Sequence, residues 1–165
     1  MNTPFAHLRA ILLLPFNVLV VVPALLLWLG SGPWAVAGPA EPRFWLALLC
    51  FGAGLSLMVW TIGRFAGEGD GTLAPWDPTE KLVVSGVYRH VRNPMITGVI
   101  TNLVGEALLF GSASLASWAA IFALGNAIYI PLSEEPGLEK RFGEDYRRYR
   151  ANVPRWLPRL RPWSP

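Results

Sequence analysis

Four mostly apolar runs restrict this chain more than any other feature, because a backbone in hydrocarbon must satisfy its own polar groups and therefore coils into helices. They cover about residues 10–29, 44–63, 94–110 and 115–132. With 53% hydrophobic and 15% charged residues and a mean hydropathy of +0.38, a chain of 165 residues is too apolar for a soluble domain and short for two domains. The expected fold is a single all-α integral membrane domain over residues 1–165, with four transmembrane helices. Pro15 and Pro23 should bend the first span, and Gly30-Ser31-Gly32-Pro33 ends it. That run exceeds the apolar core of a signal peptide, so cleavage after Ala35-Val36-Ala37 is not expected. The second span carries Gly52, Ala53, Gly54 and Ser56, small residues that suit close helix packing. Gly111-Ser112-Ala113-Ser114 is a tight turn, so the third and fourth spans must be antiparallel neighbours.

Charge sets the sidedness. Thirteen of the 14 Lys and Arg residues fall at Arg9, between Arg64 and Arg92, or after Leu138, and only Arg43 falls on the other side. The positive-inside rule then places both termini and the long 64–92 loop in the cytoplasm. The same distribution explains the net charge of +3 without a nucleic-acid groove, so no nucleic-acid partner is expected. The single cysteine, Cys50, cannot form an intrachain disulfide and reads as a buried inert thiol. No metal site is expected.

Beyond the fourth span, Leu138, Phe142, Tyr146, Tyr149 and Val153 recur at helical spacing, with Lys140, Arg141, Glu144, Arg147 and Arg148 between them. The pattern predicts an amphipathic cytoplasmic helix over the bundle mouth, capped by Ser133 and supported by pairs such as Glu144 with Arg148. Val153-Pro154-Arg155-Trp156-Leu157-Pro158 then reads as an irregular segment anchored at the interface.

Chemistry is concentrated where the long loop enters the third span. Arg89, His90 and Arg92 precede Pro94, which can open a helix because its missing N–H is unneeded there. These side chains form a polar collar at the bilayer surface. Glu134 and Glu135 leave the fourth span on the same side, next to that collar. An ion-pair network is one outcome, and a zwitterionic ligand held between Glu134 and the 88–93 segment is the other. Within the spans the polar residues are Asn17, Asn102, Glu106 and Asn126. Asn102 and Asn126 fall at similar depth and can bond between helices, whereas Glu106 lies roughly 18 Å along a helix from Pro94 and reads as structural or water-exposed. The Gly67-Glu68-Gly69-Asp70-Gly71 run has no strand before it and no helix-opening pattern after it, so it reads as a turn rather than a nucleotide loop.

Several of these stretches together resemble the isoprenylcysteine carboxyl methyltransferase family of integral membrane enzymes, to which phospholipid N-methyltransferases are related. The resemblance covers roughly residues 72–158. It rests on Lys81-Leu82-Val83, Gly86-Val87-Tyr88, and Arg92-Asn93-Pro94-Met95-Ile96-Thr97-Gly98, which is similar to an R-H-P-x-Y-x-G box. Glu134-Glu135 with Leu138 follows, and then Phe142-Gly143-Glu144-Asp145-Tyr146-Arg147-Arg148-Tyr149, matching F-G-x-x-Y-x-x-Y before Val-Pro.

The resemblance implies S-adenosyl-L-methionine bound at the cytoplasmic mouth, with Lys81, Leu82, Val83, Tyr88, Arg92, Asn93, Pro94, Met95, Ile96 and Glu134 around it. It implies methyl transfer to a lipophilic or small acceptor arriving from the bilayer. An amine or thiol acceptor needs a base, and His90 and Glu135 are the nearest candidates. The chain departs from the pattern at Asn93, where the box has histidine, and at Ile96, where it has tyrosine. Ile130 stands where prenylcysteine-methylating members resemble one another in an arginine, which removes the obvious partner of a carboxylate acceptor. Those departures also define the rival reading, a non-catalytic membrane scaffold or partner subunit that keeps the fold. A small transporter is a third reading with little support, since the spans hold one acid.

Overall fold

A computed structural model describes residues 15–30, 32–68 and 82–164, with side chains up to residue 64 in the second stretch. The start of the expected first span, His7, Arg9, Lys81 and most of the Gly67–Gly71 run lie outside the described residues. The described residues are all-helical apart from turns and extended connections.

The first helix, α1 (Asn17–Leu29), opens with a wide π turn over Asn17–Val21 and continues as α-helix over Val22–Leu29. The widened turn places Pro23 in the first turn of the α-helical part, where its missing N–H costs little. Residues 33–38 then run extended along the end of the third helix. Ala35 N–H donates to the Phe110 carbonyl at 3.0 Å and Ala37 N–H to that of Leu109 at 2.7 Å, satisfying carbonyls that a helix end leaves free. The second helix, α2 (Pro42–Glu68), is longer at both ends than the expected 44–63 and takes in Gly67 and Glu68.

The third helix, α3 (Pro94–Phe110), packs chiefly on α2. Their crossing is close because a Cβ at Gly54 would lie 2.7 Å from the Gly98 carbonyl oxygen, and one at Gly98 would lie 2.9 Å from the Gly54 oxygen. Gly105 faces Phe51 and Cys50 in the same way. Of the small residues in the second span, Gly54 therefore makes the approach, while Gly52 has nothing within 4 Å. Gly111, at φ 55°, ends α3 in the left-handed conformation that glycine adopts without strain. Ser112 then caps the fourth helix, α4 (Ala113–Tyr129), accepting from Leu115 N–H at 3.4 Å.

A core of Met58, Val99, Leu103 and Ala119 joins α2, α3 and α4, and Val18 and Leu19 bring α1 against it. Trp118 Nε1 donates to the Val18 carbonyl at 3.1 Å, tying α1 to α4. Asn102 and Asn126 do not pair. Asn102 Nδ2 donates back to the Gly98 carbonyl at 2.9 Å and to Met58 Sδ at 3.4 Å, and Asn126 Nδ2 donates back to the Phe122 carbonyl at 2.8 Å.

The chain does not break after α4 as expected. A π turn over Ile130–Glu134 carries Pro131 and runs directly into α5 (Glu135–Asn152), so Ser133 lies inside a continuous rod and caps nothing. The interruption comes at Gly143, whose φ of 55° and ψ of −125° are non-helical and suit glycine. The expected apolar face survives it: Tyr146, Tyr149 and Val153 are buried against Leu82, Val84, Leu138, Phe142 and Trp163. On the polar face Arg147 pairs with Glu144 at 3.0 Å and Arg150 with Glu139 at 3.1 Å.

Two helical stretches are long and apolar enough to cross a membrane, Pro42–Arg64 and Ala113–Asn152, while Asn17–Leu29 and Pro94–Phe110 are apolar but shorter. Only 22% and 17% of an apolar 18-residue window in each is buried, unlike the mostly buried core helix of a soluble protein. Trp45, Leu49, Val59, Ile121, Leu124 and Ile128 stand exposed along them.

Candidate functional site

The collar is built by a short 3₁₀ turn, Gly86–Arg89, that leads into α3. Gly86 has φ 54°, and a Cβ there would lie 2.9 Å from Arg64 Nε, so glycine lets the turn sit against the end of α2. Val83, Val87, Tyr88 and Val91 bury their side chains together, with Leu57 of α2 beside them. Arg92 and Asn93 follow, and Pro94 is the first residue of α3.

At this point the collar meets the end of the fourth span. Arg92 Nη1 donates to Glu135 Oε1 at 2.9 Å, with side chains only 9% and 5% exposed, and approaches the Tyr146 hydroxyl at 3.4 Å. Arg155 grips the same carboxylate with two bonds, Nε to Oε1 at 2.7 Å and Nη2 to Oε2 at 3.0 Å. Burial pushes the Glu135 carboxyl up, but the Arg155 hydrogen bonds and the charges of Arg92, Arg155 and Arg150 outweigh it and hold the group below the usual carboxylate range. Glu135 is thus a fixed anion between two arginines.

Its neighbour is placed differently. Glu134 is half-buried and has no hydrogen-bond or ion-pair partner among the described residues. Burial, and then the charge of Glu135, raise its carboxyl above the usual range. Tyr88 and Tyr146 lie within reach of its charge, and burial keeps both phenols protonated. At the site, Arg92 Nε is buried without an acceptor among the described residues.

The remaining expected site residues are arranged around this pair. Leu82 lies against the Tyr146–Tyr149–Val153 cluster, Val83 against Tyr88, and Met95 against the core of the helices. Ile96 is half-buried on the first turn of α3. The Asn93 carbonyl accepts from Thr97 N–H at 3.1 Å and from Thr97 Oγ1 at 2.9 Å, and its Nδ2 reaches the Arg155 carbonyl at 3.5 Å. The Tyr88 carbonyl accepts from the Tyr149 hydroxyl at 2.8 Å. Ile130 is 1% exposed, sealed inside the bundle. Glu106 is remote from the collar along α3, and its Oε2 is buried with no hydrogen-bond partner among the described residues.

Sequence reasoning missed the strap that closes over the collar. After Val153 the chain turns back alongside residues 89–93: Arg92 N–H donates to the Pro154 carbonyl at 2.9 Å, Arg159 N–H to that of His90 at 3.0 Å, and Trp163 N–H to that of Arg89 at 2.9 Å. Arg89 returns a bond from Nε to the Trp163 carbonyl at 2.6 Å. His90 Nδ1 lies 2.7 Å from the Arg159 carbonyl, which makes Nδ1 the protonated nitrogen and leaves Nε2 as an acceptor. Val-Pro-Arg after an apolar helical face is the only sequence signal of this strap, and it gives no hint of what the arginine reaches.

Compared with known proteins, residues 42–145 match the sequence pattern described as phospholipid methyltransferase. A phosphatidylethanolamine N-methyltransferase of Paracoccidioides lutzii is 32% identical over 89 residues, which is 54% of this chain and 9% of that protein. One from Talaromyces marneffei is 29% identical over 136 residues, 73% of this chain and 13% of that protein. The steroid 5-alpha-reductase DET2 of Solanum lycopersicum is 30% identical over 115 residues, 67% of this chain and 41% of that protein. The chain therefore spans only about a tenth of the length of these fungal relatives. No solved structure matches it.

Proposed function

This chain belongs to the phospholipid methyltransferase family, and we propose that it is a membrane methyltransferase that uses S-adenosyl-L-methionine to methylate the amine of a phospholipid at the cytoplasmic face. The observation that carries the reading is the division of labour at the carboxylate pair: Glu135 is clasped by Arg92 and Arg155, and Glu134 beside it is half-buried and has no partner among the described residues. A half-buried carboxylate without a partner is less well solvated than one in water, and a ligand that donates to it offsets that cost.

The residues fit the cofactor. Glu134 would accept from its ammonium or ribose hydroxyls, the orphaned Arg92 Nε would donate to its carboxylate, and Tyr88 would present an aromatic wall to the sulfonium. Leu82, Val83, Met95 and Ile96 would line the site, Asn93 and Pro94 would shape its floor, and Lys81 precedes it in the chain. When bound, the cofactor supplies a methyl group on a sulfonium, displaced in line by the acceptor. The chain's own task is to hold donor and acceptor in contact and keep water out, which a site beneath the strap and beside the bilayer does.

For the acceptor proton, His90 suits the task better than Glu135. The Arg159 carbonyl fixes its Nδ1 proton and leaves Nε2 to accept, whereas both oxygens of Glu135 are occupied by arginines. An amine acceptor agrees with the sealed apolar Ile130, which offers a substrate carboxylate nothing to bind. Purified protein in vesicles containing phosphatidylethanolamine, given labelled S-adenosyl-L-methionine, should label the lipid and leave prenylcysteine unlabelled. His90→Asn should slow transfer without weakening cofactor binding. Label on neither acceptor, with the cofactor bound, would contradict the lipid-amine reading.

The four-span arrangement with both termini in the cytoplasm belongs to the same proposal. It rests on the cation asymmetry and on the apolar helices α1 and α3, which alternate along the chain with the longer stretches Pro42–Arg64 and Ala113–Asn152. A C-terminal reporter active only outside the cytoplasm should stay silent; a signal would invert the topology.

A further inference from the structure

The strap contributes one side chain to the interior of the site, and that residue carries an inference beyond the family's chemistry. Arg155 lies twenty residues after Glu135, yet its guanidinium meets both carboxylate oxygens, at 2.7 and 3.0 Å. Its carbonyl accepts from Asn93 Nδ2 at 3.5 Å, so the same residue touches the entry to α3 and the start of α5. Arg92 takes the remaining approach to Glu135 Oε1. With the Arg155 fork and a single Arg92 bond on one carboxylate, the other is left without a partner among the described residues.

We propose that Arg155 is a positioning residue: by fixing Glu135 together with Arg92 it reserves that carboxylate for holding the helix ends and leaves Glu134 as the acceptor that faces the cofactor. The inference rests on the reading of Glu134 as a cofactor contact. A bidentate arginine fork suits this role because it sets the orientation of the carboxylate as well as its charge. Glu134 is faced by the charge of Glu135 in its own helical rod, by Tyr88 from the collar turn and by Tyr146 from α5, with the cations Arg92, Arg155 and Arg150 acting on Glu135. Removing Arg155 leaves more of the Glu135 charge uncompensated at Glu134. Protonation of Glu134 then extends to higher pH, and a protonated carboxyl loses the charge that makes it a strong acceptor for the cofactor's ammonium or hydroxyls.

The test uses the full chain in detergent. Infrared titration of the carboxyl band, assigned by its loss in Glu134→Gln, gives the protonation midpoint of Glu134 without any cofactor present. Calorimetric titration with S-adenosyl-L-methionine gives affinity separately. Arg155→Gln should raise the midpoint by about one pH unit, weakening cofactor binding about twofold at the new midpoint and by up to about tenfold well below it. Arg155→Lys, which keeps the charge and the fold, should shift it less. The double variant Arg155→Gln with Glu135→Gln should bring the midpoint back to or below that of the wild type, which a merely structural arginine would not do. A midpoint unmoved by Arg155→Gln in a protein that still melts cooperatively, or moved and not restored by Glu135→Gln, overturns the positioning role alone. If the midpoints behave as stated but the wild type takes up no S-adenosyl-L-methionine, the cofactor reading falls and the positioning role falls with it.

Discussion

At the scale of single residues, two adjacent carboxylates respond to pH in opposite directions. Glu135 is held below its ordinary range, chiefly because the Arg155 bonds and the arginine charges outweigh its burial. Its contribution to stability is present above the unfolded-state value and is lost as pH falls through the folded one. Glu134 is raised by burial and by Glu135, so the protein is most stabilised below the unfolded-state value and loses stability as pH rises through the folded one. Glu134→Gln should therefore raise the melting temperature at neutral pH, by roughly 1 kcal/mol of stability, and flatten its decline from mildly acidic to neutral pH. Thermal melts across that range check it, and a variant less stable at neutral pH would contradict the assignment of Glu134 as a half-buried carboxylate raised by burial and by Glu135. That Glu134 and Glu135 stand beside an arginine collar was legible in the sequence. Which of the two is paired among the described residues was not, because the deciding partner, Arg155, arrives from a strap with no periodic signature.

Between elements, the close crossing of α2 and α3 holds the collar in place. The small residues of the second span were readable as packing positions, but a helix turns 100° per residue and the sequence does not say which side faces α3. Gly54 faces it and Gly52 does not. Gly54→Ala puts a methyl 2.7 Å from a backbone oxygen that cannot move aside, and should cost about 1–3 kcal/mol despite the better helix propensity of alanine. Gly52→Ala meets nothing and should be neutral or slightly stabilising. Melting temperatures of the two variants in the same detergent decide it; equal values would contradict the crossing. The break expected at Ser133 was misplaced for a related reason. A serine before Glu-Glu-Pro has the look of a helix start, but a π turn absorbs Pro131 and keeps the rod continuous, and the real interruption waits for the glycine at 143.

Across the whole molecule, the apolar runs were sufficient to anticipate the helices of the described residues and a membrane location, since both follow directly from the cost of placing polar groups in lipid. The fold-back of residues 153–164 over residues 89–93 was not, because backbone bonds such as Arg159 N–H to the His90 carbonyl leave no trace in side-chain identity. That strap ties the entry to α3 to the end of α5, and through Arg155 it reaches the Arg92–Glu135 pair. The most direct test is calorimetric titration of the purified, folded protein with S-adenosyl-L-methionine, wild type beside Glu134→Gln. Saturable binding by the wild type and at least tenfold weaker binding by the variant, the loss of a charge-assisted contact, is the predicted result. Equal affinity for the two proteins, or no binding to a cooperatively melting wild type, would contradict it.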